Sequence, residues 1–247
     1  MAETGKHVLR AAAEPPRMAV TTARGGWLGR QRAGLAAAAL AVVVAAGLLA
    51  DGTSARAAQA HPALASAGRG FTAYVAGTGP HGNYVTPVNT ATNRPGKPIK
   101  VGADPQGIVV TPDGKTVYVA NSLSNTVTPI ATATNTPGQA IKTGVFPNRI
   151  AVTPDGKTAY VTNLDSGTVT PIQTAANTAG KPIKIGGGFP LAIAVTPDGK
   201  TVYVTNPARH SGSTVTPIRT ATNTPGKPIK VGGFPVAIGF APRPARG

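Results

Sequence analysis

The apolar and polar positions of residues 188–232 follow a pattern that predicts short β-strands joined by tight turns. The apolar run Leu191–Val195 predicts a buried strand, A, and the β-branched and aromatic residues of Thr201–Thr205 predict the next strand, B. The sequence PDG at 197–199 lies between them and is typical of a short hairpin loop, because proline presets φ and glycine accepts a positive φ. The pattern therefore predicts a β-hairpin.

Two further strands follow in the same unit. Thr214–Thr220 predicts strand C, the sequence NTPG at 223–226 predicts a turn, and Lys227–Val231 predicts strand D. The proline and lysines of strand D are typical of a sheet edge, where a missing N–H faces solvent and charge opposes edge-to-edge pairing. Strand C also contains a proline, Pro217, which removes one ladder hydrogen bond. We therefore expect a bulge or a water-filled gap in strand C.

This unit recurs along the chain with a nearly constant period. The hairpin sequence TPDGKTVYVTN at 196–206 appears as TPDGKTVYVAN at 111–121 and as TPDGKTAYVTN at 153–163. One tyrosine of strand B recurs at intervals of 44, 42 and 43 residues, at Tyr74, Tyr118, Tyr160 and Tyr203. Four antiparallel strands in each unit of ~40–50 residues predict an all-β fold, a β-propeller. Because a single blade cannot bury both of its faces, we expect the tyrosine to pack between blades.

The strands can be counted to give the number of blades. Complete units span 103–144, 145–187 and 188–232, whereas residues 71–102 supply only strands B, C and D, and residues 233–242 supply only strand A. We therefore predict four blades, closed by pairing of the C-terminal strand with the N-terminal partial blade, which removes the open sheet edges. The alternatives are an open arc, or two chains that form a larger ring head to tail.

The repeated residues resemble a known family. YVTN at 160–163 and 203–206 and YVAN at 118–121, together with the PDGKT turn, are similar to the YVTN-family β-propeller repeat over residues 71–241. The resemblance implies an exported protein of the cell envelope or surface layer, and similar propellers occur in quinoprotein dehydrogenases and cytochrome d1-type reductases. The chain differs from the family in having few blades. It also differs at the residue after strand C, usually aspartate in the family, which is here Asn89, Ala131, Gln173 or Arg219.

The N-terminal residues predict export. Residues 1–32 are basic, an apolar run spans 34–50, and a polar stretch ends in an Ala-Gln-Ala sequence at Ala60. These are the regions of a secretory signal peptide, so we expect cleavage after Ala60, a linker at 61–70 before the propeller at 71–242, and a secreted or envelope location. The alternative is an uncleaved signal anchor, which holds the protein in the membrane through residues 34–50. The last five residues are predicted to form a short tail.

The residues give no catalytic constellation. The chain has no cysteine, which excludes disulfides, thiol catalysis, zinc–thiolate sites and c-type haem attachment. Apart from the aspartates of the PDG turns, the propeller contains only Asp104 and Asp165, and no G-x-S-x-G elbow or P-loop is present. We therefore expect no metal, no cofactor and no enzymatic activity. The alternative is a propeller enzyme of the lactonase or quinoprotein type.

Differences between the repeats identify a candidate binding surface. The copies are nearly identical along strands and PDG turns and differ most in the B–C loops and in the junctions between strand D and the next strand A. In a propeller these segments share one end of the ring, here called the loop end, and loops on a rigid scaffold commonly carry recognition. The B–C loops are predicted at 77–83, 122–125, 164–167 and 207–213. The candidate binding residues of the loop end are His81, Asn83, Asp104, Gln106, Asn125, Asn148, Arg149, Asp165, Arg209 and His210.

A second candidate surface carries positive charge. From His61 onward the chain has 17 lysines and arginines against five aspartates, a net charge of +12. The strand D lysines form a predicted basic rim, consisting of Lys97, Lys100, Lys181, Lys184, Lys227 and Lys230. Such a rim attracts anionic polymers, namely wall polyanions, extracellular nucleic acid or anionic lipid. The simpler interpretation is that these lysines only prevent edge-to-edge association. No aromatic residues are interleaved for base stacking, so we expect no sequence-specific nucleic-acid recognition.

Three functional hypotheses follow. The first is a secreted or envelope-associated, non-catalytic module that binds an unknown protein or envelope polymer through the loop end. The second is polyanion binding through the basic rim, and the third is a propeller enzyme. A head-to-tail homodimer is a further expectation, because the first and last units of the chain are incomplete.

Overall fold

The computed structural model describes residues 70–79, 82–186, 188–208 and 212–242. The chain divides into two units, Met1–Asp51 and Gly52–Gly247. All described residues belong to the second unit. The predicted signal peptide, residues 1–60, lies outside the described residues. The described part forms four antiparallel sheets and contains no helix, and therefore no helix long and apolar enough to cross a membrane.

Each repeat forms one sheet, and the four sheets are the blades of a propeller. Blade 1 consists of β1 (Thr72–Gly79), β2 (Gly82–Asn89), β3 (Arg94–Pro95) and β4 (Ile99–Lys100). Blade 2 consists of β5 (Pro105–Val110), β6 (Thr116–Asn121), β7 (Thr126–Ala131), β8 (Thr136–Pro137) and β9 (Ile141–Lys142). Blade 3 consists of β10 (Pro147–Val152), β11 (Thr158–Asn163), β12 (Thr168–Gln173), β13 (Thr178–Ala179) and β14 (Ile183–Lys184). Blade 4 consists of β15 (Ile193–Val195), β16 (Thr201–Asn206), β17 (Ser213–Arg219), β18 (Thr224–Pro225) and β19 (Ile229–Val231).

The predicted strand order is confirmed, with strand D divided into two segments. In blade 4, β15 pairs with β16 and β16 with β17, while β18 and β19 both pair with β17. Blades 2 and 3 have the same order, and blade 1 lacks strand A. The described sheets therefore contain the four strand positions that the sequence pattern predicts, three of them in blade 1.

The prolines of strand C interrupt strand D and leave strand C regular. Pro217 lies opposite Tyr203 in a ladder without register shifts, so the bulge predicted in strand C is absent. The carbonyl of Pro217 faces strand D and accepts a hydrogen bond from Gly226 N at 2.7 Å. Because proline has no N–H to donate on that side, the outer strand leaves the ladder between Pro225 and Ile229. The prediction was correct about the lost hydrogen bond and wrong about which strand absorbs it.

The PDG turn forms as predicted. Gly199 has φ of 71° and donates to Thr196 O at 2.8 Å, and Asp198 Oδ1 accepts from Thr196 Oγ1 at 2.6 Å and Lys200 N at 3.0 Å. Both of the other copies repeat these bonds. The turn between strands C and D was predicted too late in the sequence. It ends at Asn223, which takes the left-handed φ of 55°, and Thr224 already belongs to β18.

The core consists of three apolar clusters, each at a junction between successive blades. Tyr118 and Tyr160 are fully buried, and their clusters combine residues of their own blade with residues of the following one. Tyr74 belongs to the third cluster in the same way, together with Val119 of blade 2. The predicted packing of one tyrosine between each pair of blades is therefore confirmed for the junctions that the described residues form.

Closure by the C-terminal strand is not present in the structure. The sheet of blade 1 contains β1–β4 alone, and residues 232–242 form no strand. Phe240 instead packs edge-on against Tyr203 of blade 4, with ring centroids 5.6 Å apart. The pairing of this segment with β1 is not confirmed and stays a prediction.

Candidate functional site

The B–C loops and the D–A junctions lie at the same end of each blade. In blade 2, Ser122 N donates to Asp104 O at 2.8 Å, which joins the residue after strand B to the residue before strand A. In blade 3, Leu164 N makes the same bond to Phe146 O at 2.9 Å. These backbone bonds assemble the segments that differ between repeats into one surface, the loop end.

Two candidate binding residues of the loop end connect successive blades. Asn83 Oδ1 accepts a hydrogen bond from Asp104 N at 3.1 Å, and Asn125 Oδ1 accepts one from Phe146 N at 2.9 Å. Asp104 and Phe146 both have left-handed backbone, with φ of 56° and 57°. The two asparagines thus satisfy N–H groups that a tight corner turns away from the sheet, and their amide oxygens serve the fold.

The structure brings four other candidates together at the junction of blades 2 and 3. Arg149 Nη1 donates to Gln106 O at 3.4 Å and to Asn148 O at 3.2 Å, and Gln106 Nε2 donates to Asp104 Oδ1 at 2.7 Å. We call these residues the Arg149 cluster. Strands β5 and β10 approach closely here because residue 107 is glycine. A Cβ at that position would lie 2.5 Å from Asn148 O.

The guanidinium of Arg149 is half-buried and has no acidic partner. Burial lowers its pKa, and among the described residues no carboxylate lies within ion-pair distance of it. The ion pairs of the described chain join Lys115 to Asp113 at 3.8 Å and Lys157 to Asp155 at 3.9 Å, on the PDG turns. Arg149 therefore has donors to spare, in an environment where a charge-assisted hydrogen bond is stronger than in water.

Asn148 contributes a buried polar atom to the same cluster. Its side chain is 5% exposed, and its Oδ1 has no hydrogen-bond partner among the described residues. A register shift in strand β10 between Pro147 and Arg149 places Asn148 opposite no residue of β11. The bulge turns successive residues of this strand in different directions, with Asn148 buried and Arg149 partly exposed.

Two apolar residues of the loop end were not among the predicted binding residues. Leu123 is 61% exposed in the B–C loop of blade 2, and Val145 is 49% exposed in the junction that follows it. A signal for Leu123 was present in the sequence, because the corresponding loop position in blade 3 is the polar Asp165. Both side chains are therefore accessible for contact at the loop end.

The remaining predicted residues lie apart from the Arg149 cluster or outside the described chain. Asp165 is half-buried at the loop end, with its N–H donating to Val145 O at 3.2 Å. The B–C loop of blade 1 is shorter than predicted, because residues 77–79 and 82–83 belong to β1 and β2. All six lysines of the basic rim are exposed. Lys100, Lys184 and Lys230 lie in the outer strands, and the other three lie in the segments that interrupt them. His81, Arg209 and His210 lie outside the residues that the structure describes.

The described residues offer no metal site, because no group of three histidine, cysteine or acidic side chains converges there. The Arg149 cluster and the two exposed apolar residues of the loop end instead provide hydrogen-bond donors, the guanidinium of Arg149, the carboxylate of Asp104 and apolar contact. These described groups can donate hydrogen bonds to an acceptor group and contact apolar surface.

The sheets, their order and their stacking define the chain as a β-propeller. A family model described as YNCE-like beta-propeller matches residues 33–157, which are 125 of the 247 residues. The chain belongs to this family, and the resemblance drawn from the YVTN repeats is thereby confirmed. No curated protein matches the chain.

Solved structures agree with this fold. The chain is similar to a hydrazine synthase of Kuenenia stuttgartiensis, with 28% identity, a TM-score of 0.57 and coverage of 60% of this chain and 43% of that one. It is also similar to a functionally unknown protein of Desulfotomaculum acetoxidans DSM 771, with 26% identity, a TM-score of 0.50 and coverage of 59% and 48%.

A structure described as a putative 6-phosphogluconolactonase of Bacteroides uniformis ATCC 8492 has 17% identity and a TM-score of 0.57, with coverage of 72% and 59%. At this identity the similarity shows the fold alone. The chain spans 43%, 48% and 59% of the length of these three solved chains.

Proposed function

We propose that this propeller is a secreted or envelope-associated, non-catalytic binding module that recognises its partner through the loop end. The observation that carries the proposal is the guanidinium of Arg149, which is half-buried, bonded only to backbone carbonyls and unpaired with any described carboxylate. Export is supported by the basic, apolar and Ala-Gln-Ala segments that end at Ala60. No described carboxylate lies within ion-pair distance of Arg149, which leaves N–H donors of its guanidinium for a bound partner.

The chemistry of the Arg149 cluster favours an anionic group as the recognised feature. A guanidinium presents a planar fork of N–H donors that matches a carboxylate or a phosphate. Leu123 and Val145 place exposed apolar surface at the same end, which adds contact area to a charged anchor. We therefore infer that the partner carries carboxylate or phosphate groups, as envelope polymers and acidic protein segments do.

The test compares binding of two anionic probes to the full chain and to single variants. Poly-glutamate supplies carboxylates and poly-glycerol phosphate supplies phosphodiesters, and titration calorimetry measures both affinities. We expect Arg149→Gln to weaken binding of the preferred probe about tenfold or more, because hydrogen bonds to a charged group contribute ~1.5–3 kcal/mol. Arg149→Lys keeps the charge and loses the fork, so its affinity should fall between those of the other two proteins.

The matched control is Lys157→Gln. Lys157 lies in the same blade as Arg149, on the PDG turn at the opposite end, and its removal changes the net charge by the same amount. Unchanged affinity in Lys157→Gln, together with weakened binding in Arg149→Gln, supports recognition by the loop end. Equal weakening in both variants would show attraction to overall charge and would contradict the proposal.

A second candidate function is polyanion binding by the basic rim. Its support is that all six rim lysines are exposed and none has an ion pair with a described carboxylate, whereas Lys115 and Lys157 do. A row of unpaired lysines releases counterions when it neutralises phosphates or sulfates, which makes the affinity strongly dependent on salt. Lys100, Lys184 and Lys230 pair with the first residues of strand C, beside the B–C loops. The other three rim lysines lie farther from those loops, so variants at these positions test the rim separately from the loop end.

The salt dependence of retention on a dextran sulfate column tests the rim. The triple variant Lys97→Gln, Lys181→Gln, Lys227→Gln removes the three rim charges that lie away from the B–C loops, and the control triple Lys115→Gln, Lys157→Gln, Lys200→Gln removes three from the PDG turns. We expect the rim variant to elute at lower salt than the control and to show a shallower salt dependence. Coincident elution of the two triples would reject the rim as the binding surface.

A further inference from the structure

The two ends of the blade array leave apolar faces uncovered. The strand D isoleucines Ile99, Ile141 and Ile183 are 5%, 6% and 5% exposed. Each belongs to the apolar cluster that joins its own blade to the next one. Ile229 occupies the same position in blade 4 and is 48% exposed. The outer face of blade 4 is therefore built as a blade junction and has no following blade among the described residues.

Blade 1 presents the complementary face. The strand B valines Val119, Val161 and Val204 are fully buried against the preceding blade, whereas the corresponding Val75 is 47% exposed. The surface left open on blade 1 is thus the counterpart of the surface left open on blade 4. The junctions within the chain show how two such faces pack.

A polar bond accompanies every apolar junction. The hydroxyls of Tyr74, Tyr118 and Tyr160 donate to the side-chain oxygen of an asparagine in the next blade. These bonds are Tyr74 to Asn135 at 2.8 Å, Tyr118 to Asn177 at 2.6 Å and Tyr160 to Asn223 at 2.7 Å. The series leaves Tyr203 as a donor without such an asparagine, and Asn93 as an acceptor without such a tyrosine. Asn93 already has the φ of 54° that Asn135 has in its bonded form.

The sequence of the C-terminal segment matches the first strand of a following blade. FPVAIGFAP at 234–242 corresponds to FPLAIAVTP at 189–197, so Phe240 corresponds to Val195. Val195 packs in the cluster of Tyr160, and Phe240 packs against Tyr203 in the same manner. Strand β1 meanwhile pairs only with β2, so the edge that receives strand A in other blades is open.

We propose that these end faces bind a second copy of this chain, head to tail, in a closed ring of two chains. The segment 234–242 of one copy, placed on its own blade 4, pairs with β1 of the second copy and completes that blade. Tyr203 donates to Asn93 of the second copy, and the faces of Ile229 and Val75 cover one another. The register of β15 and β16 places Ile238 opposite Val75 of the second copy. Within one chain the segment lies on blade 4 and leaves the outer edge of β1 without a paired strand. This arrangement favours binding of a second copy over closure of the ring by the chain's own tail.

Sedimentation velocity of the full chain measures the assembly over a wide concentration range. We expect the mass of two chains of 24.6 kDa each at high concentration. Ile229→Asp and Val75→Asp should each abolish the dimer, because both place a charge in a junction, and should leave the monomer folded, because both residues are exposed in it. Val110→Asp, at an apolar residue of β5 that is 42% exposed and lies away from both faces, is the control and should remain dimeric.

Further experiments determine the orientation of the contact and whether it forms between two chains or within one. Mixing Ile229→Asp with Val75→Asp restores one intact junction and should restore a dimer, which a symmetric contact between like faces does not allow. Tyr203→Phe should weaken association roughly fivefold, the loss of one hydrogen bond of about 1 kcal/mol. Because the chain contains no cysteine, Val75→Cys combined with Ile238→Cys reports the contact directly, and oxidation should join two chains.

The proposal is overturned by any mass other than two chains, or by a dimer that persists in Ile229→Asp or Val75→Asp. A disulfide formed within one chain in the double-cysteine variant would show closure by the chain's own tail and would likewise overturn it. Circular dichroism and thermal unfolding of the aspartate variants, compared with Val110→Asp, show whether a lost dimer reflects a lost fold. If either aspartate variant unfolds, the tyrosine and cysteine variants decide the question.

Discussion

Tyr160 Oη donates a hydrogen bond of 2.7 Å to Asn223 Oδ1 and thereby joins strand B of blade 3 to the C–D turn of blade 4. The tyrosine side chain is fully buried, and the asparagine is exposed with a left-handed backbone. Two other blade junctions contain the same pair. The contact between blades is therefore specified by polar geometry as well as by apolar area.

Replacement of either member of this pair should destabilise the protein modestly. Tyr160→Phe removes the donor, and Asn223→Gly removes the acceptor while allowing the left-handed φ, so each should cost about 1 kcal/mol of unfolding free energy. The double variant should cost less than the sum of the two, because both changes break one bond. Urea denaturation of the four proteins measures the coupling, and additive losses would show that the bond does not contribute.

Stability at high pH should also depend on Tyr160. Burial, with a smaller effect of the Asp155 charge, raises its pKa to about 12, whereas a tyrosine in an unfolded chain ionises near ~10. The unfolded state loses its proton first, so stability that is complete below pH ~10 is lost as the pH rises towards 12. Between these limits Tyr160→Phe should lose less stability than the wild type. Urea denaturation of both proteins at several pH values between pH ~10 and 12 measures the difference, and equal losses would contradict this contribution of Tyr160.

The tyrosine was predicted from the sequence, and its partner was not. Regular spacing identified a residue that packs between blades, because stacked repeats must bury one face against the next. The asparagines at 93, 135, 177 and 223 recur as regularly, yet the pattern assigned them only to a turn. A local pattern reports that asparagine tolerates a tight corner. The bond that it accepts comes from the preceding blade, which only the stacking of the sheets reveals.

At the loop end, the sequence likewise predicted which residues differ between repeats but not what each of them contacts. The variable segments, and Arg149 among them, were predicted from differences between copies, because repeats on one scaffold reveal their own variable positions. Asn83 and Asn125 were grouped with them, although both bind backbone N–H groups of the following blade. Whether a polar loop residue faces solvent or a left-handed corner depends on the backbone of the neighbouring blade. The sequence of its own loop does not contain that information.

The PDG turns should make stability fall in acid. A hydrogen bond from the Thr153 hydroxyl, followed by one from Lys157 N, lowers the pKa of Asp155, and Asp113 and Asp198 have the same arrangement. A depressed pKa contributes stability above the unfolded value of ~3.9, and this stability is lost as the pH falls through the folded value. The triple Asp→Asn variant should lose some stability at pH 7 and show a flatter acid limb. Thermal unfolding from pH 2 to 7 measures this, and parallel curves would assign the acid limb to other groups.

Gly107→Ala should disrupt the approach of blades 2 and 3 beside Arg149. The added Cβ would lie 2.5 Å from Asn148 O and 3.1 Å from Arg149 Cα, both backbone atoms that cannot rotate away. Overpacking of this kind costs ~1–3 kcal/mol. Gly232→Ala, where a Cβ meets no atom within 4 Å, is the matched control and should leave the unfolding free energy unchanged. Equal stability of the two variants would show that the β5–β10 contact relaxes without cost.

A final prediction concerns the buried asparagine that ends strand B. Asn163 Nδ2 donates to Thr170 Oγ1 at 2.8 Å and to Thr168 Oγ1 at 3.0 Å, in a side chain with no exposed surface. Thr170→Val keeps the shape and removes one acceptor, which leaves a buried N–H donor underbonded at a cost of ~1–3 kcal/mol.

The repeats provide both a stronger case and a control for this threonine. Thr216→Val in blade 4 should cost more than Thr170→Val, because the Thr216 hydroxyl accepts from Asn206 at 2.9 Å and also donates to Ile185 O at 3.1 Å. Thr178→Val, at an exposed position of β13, should have almost no effect. Urea denaturation should therefore rank the variants Thr216, Thr170, Thr178 in order of decreasing loss. Thr170→Val as stable as Thr178→Val would mean that the asparagine is held by packing, with no contribution from its hydrogen bonds to the threonines.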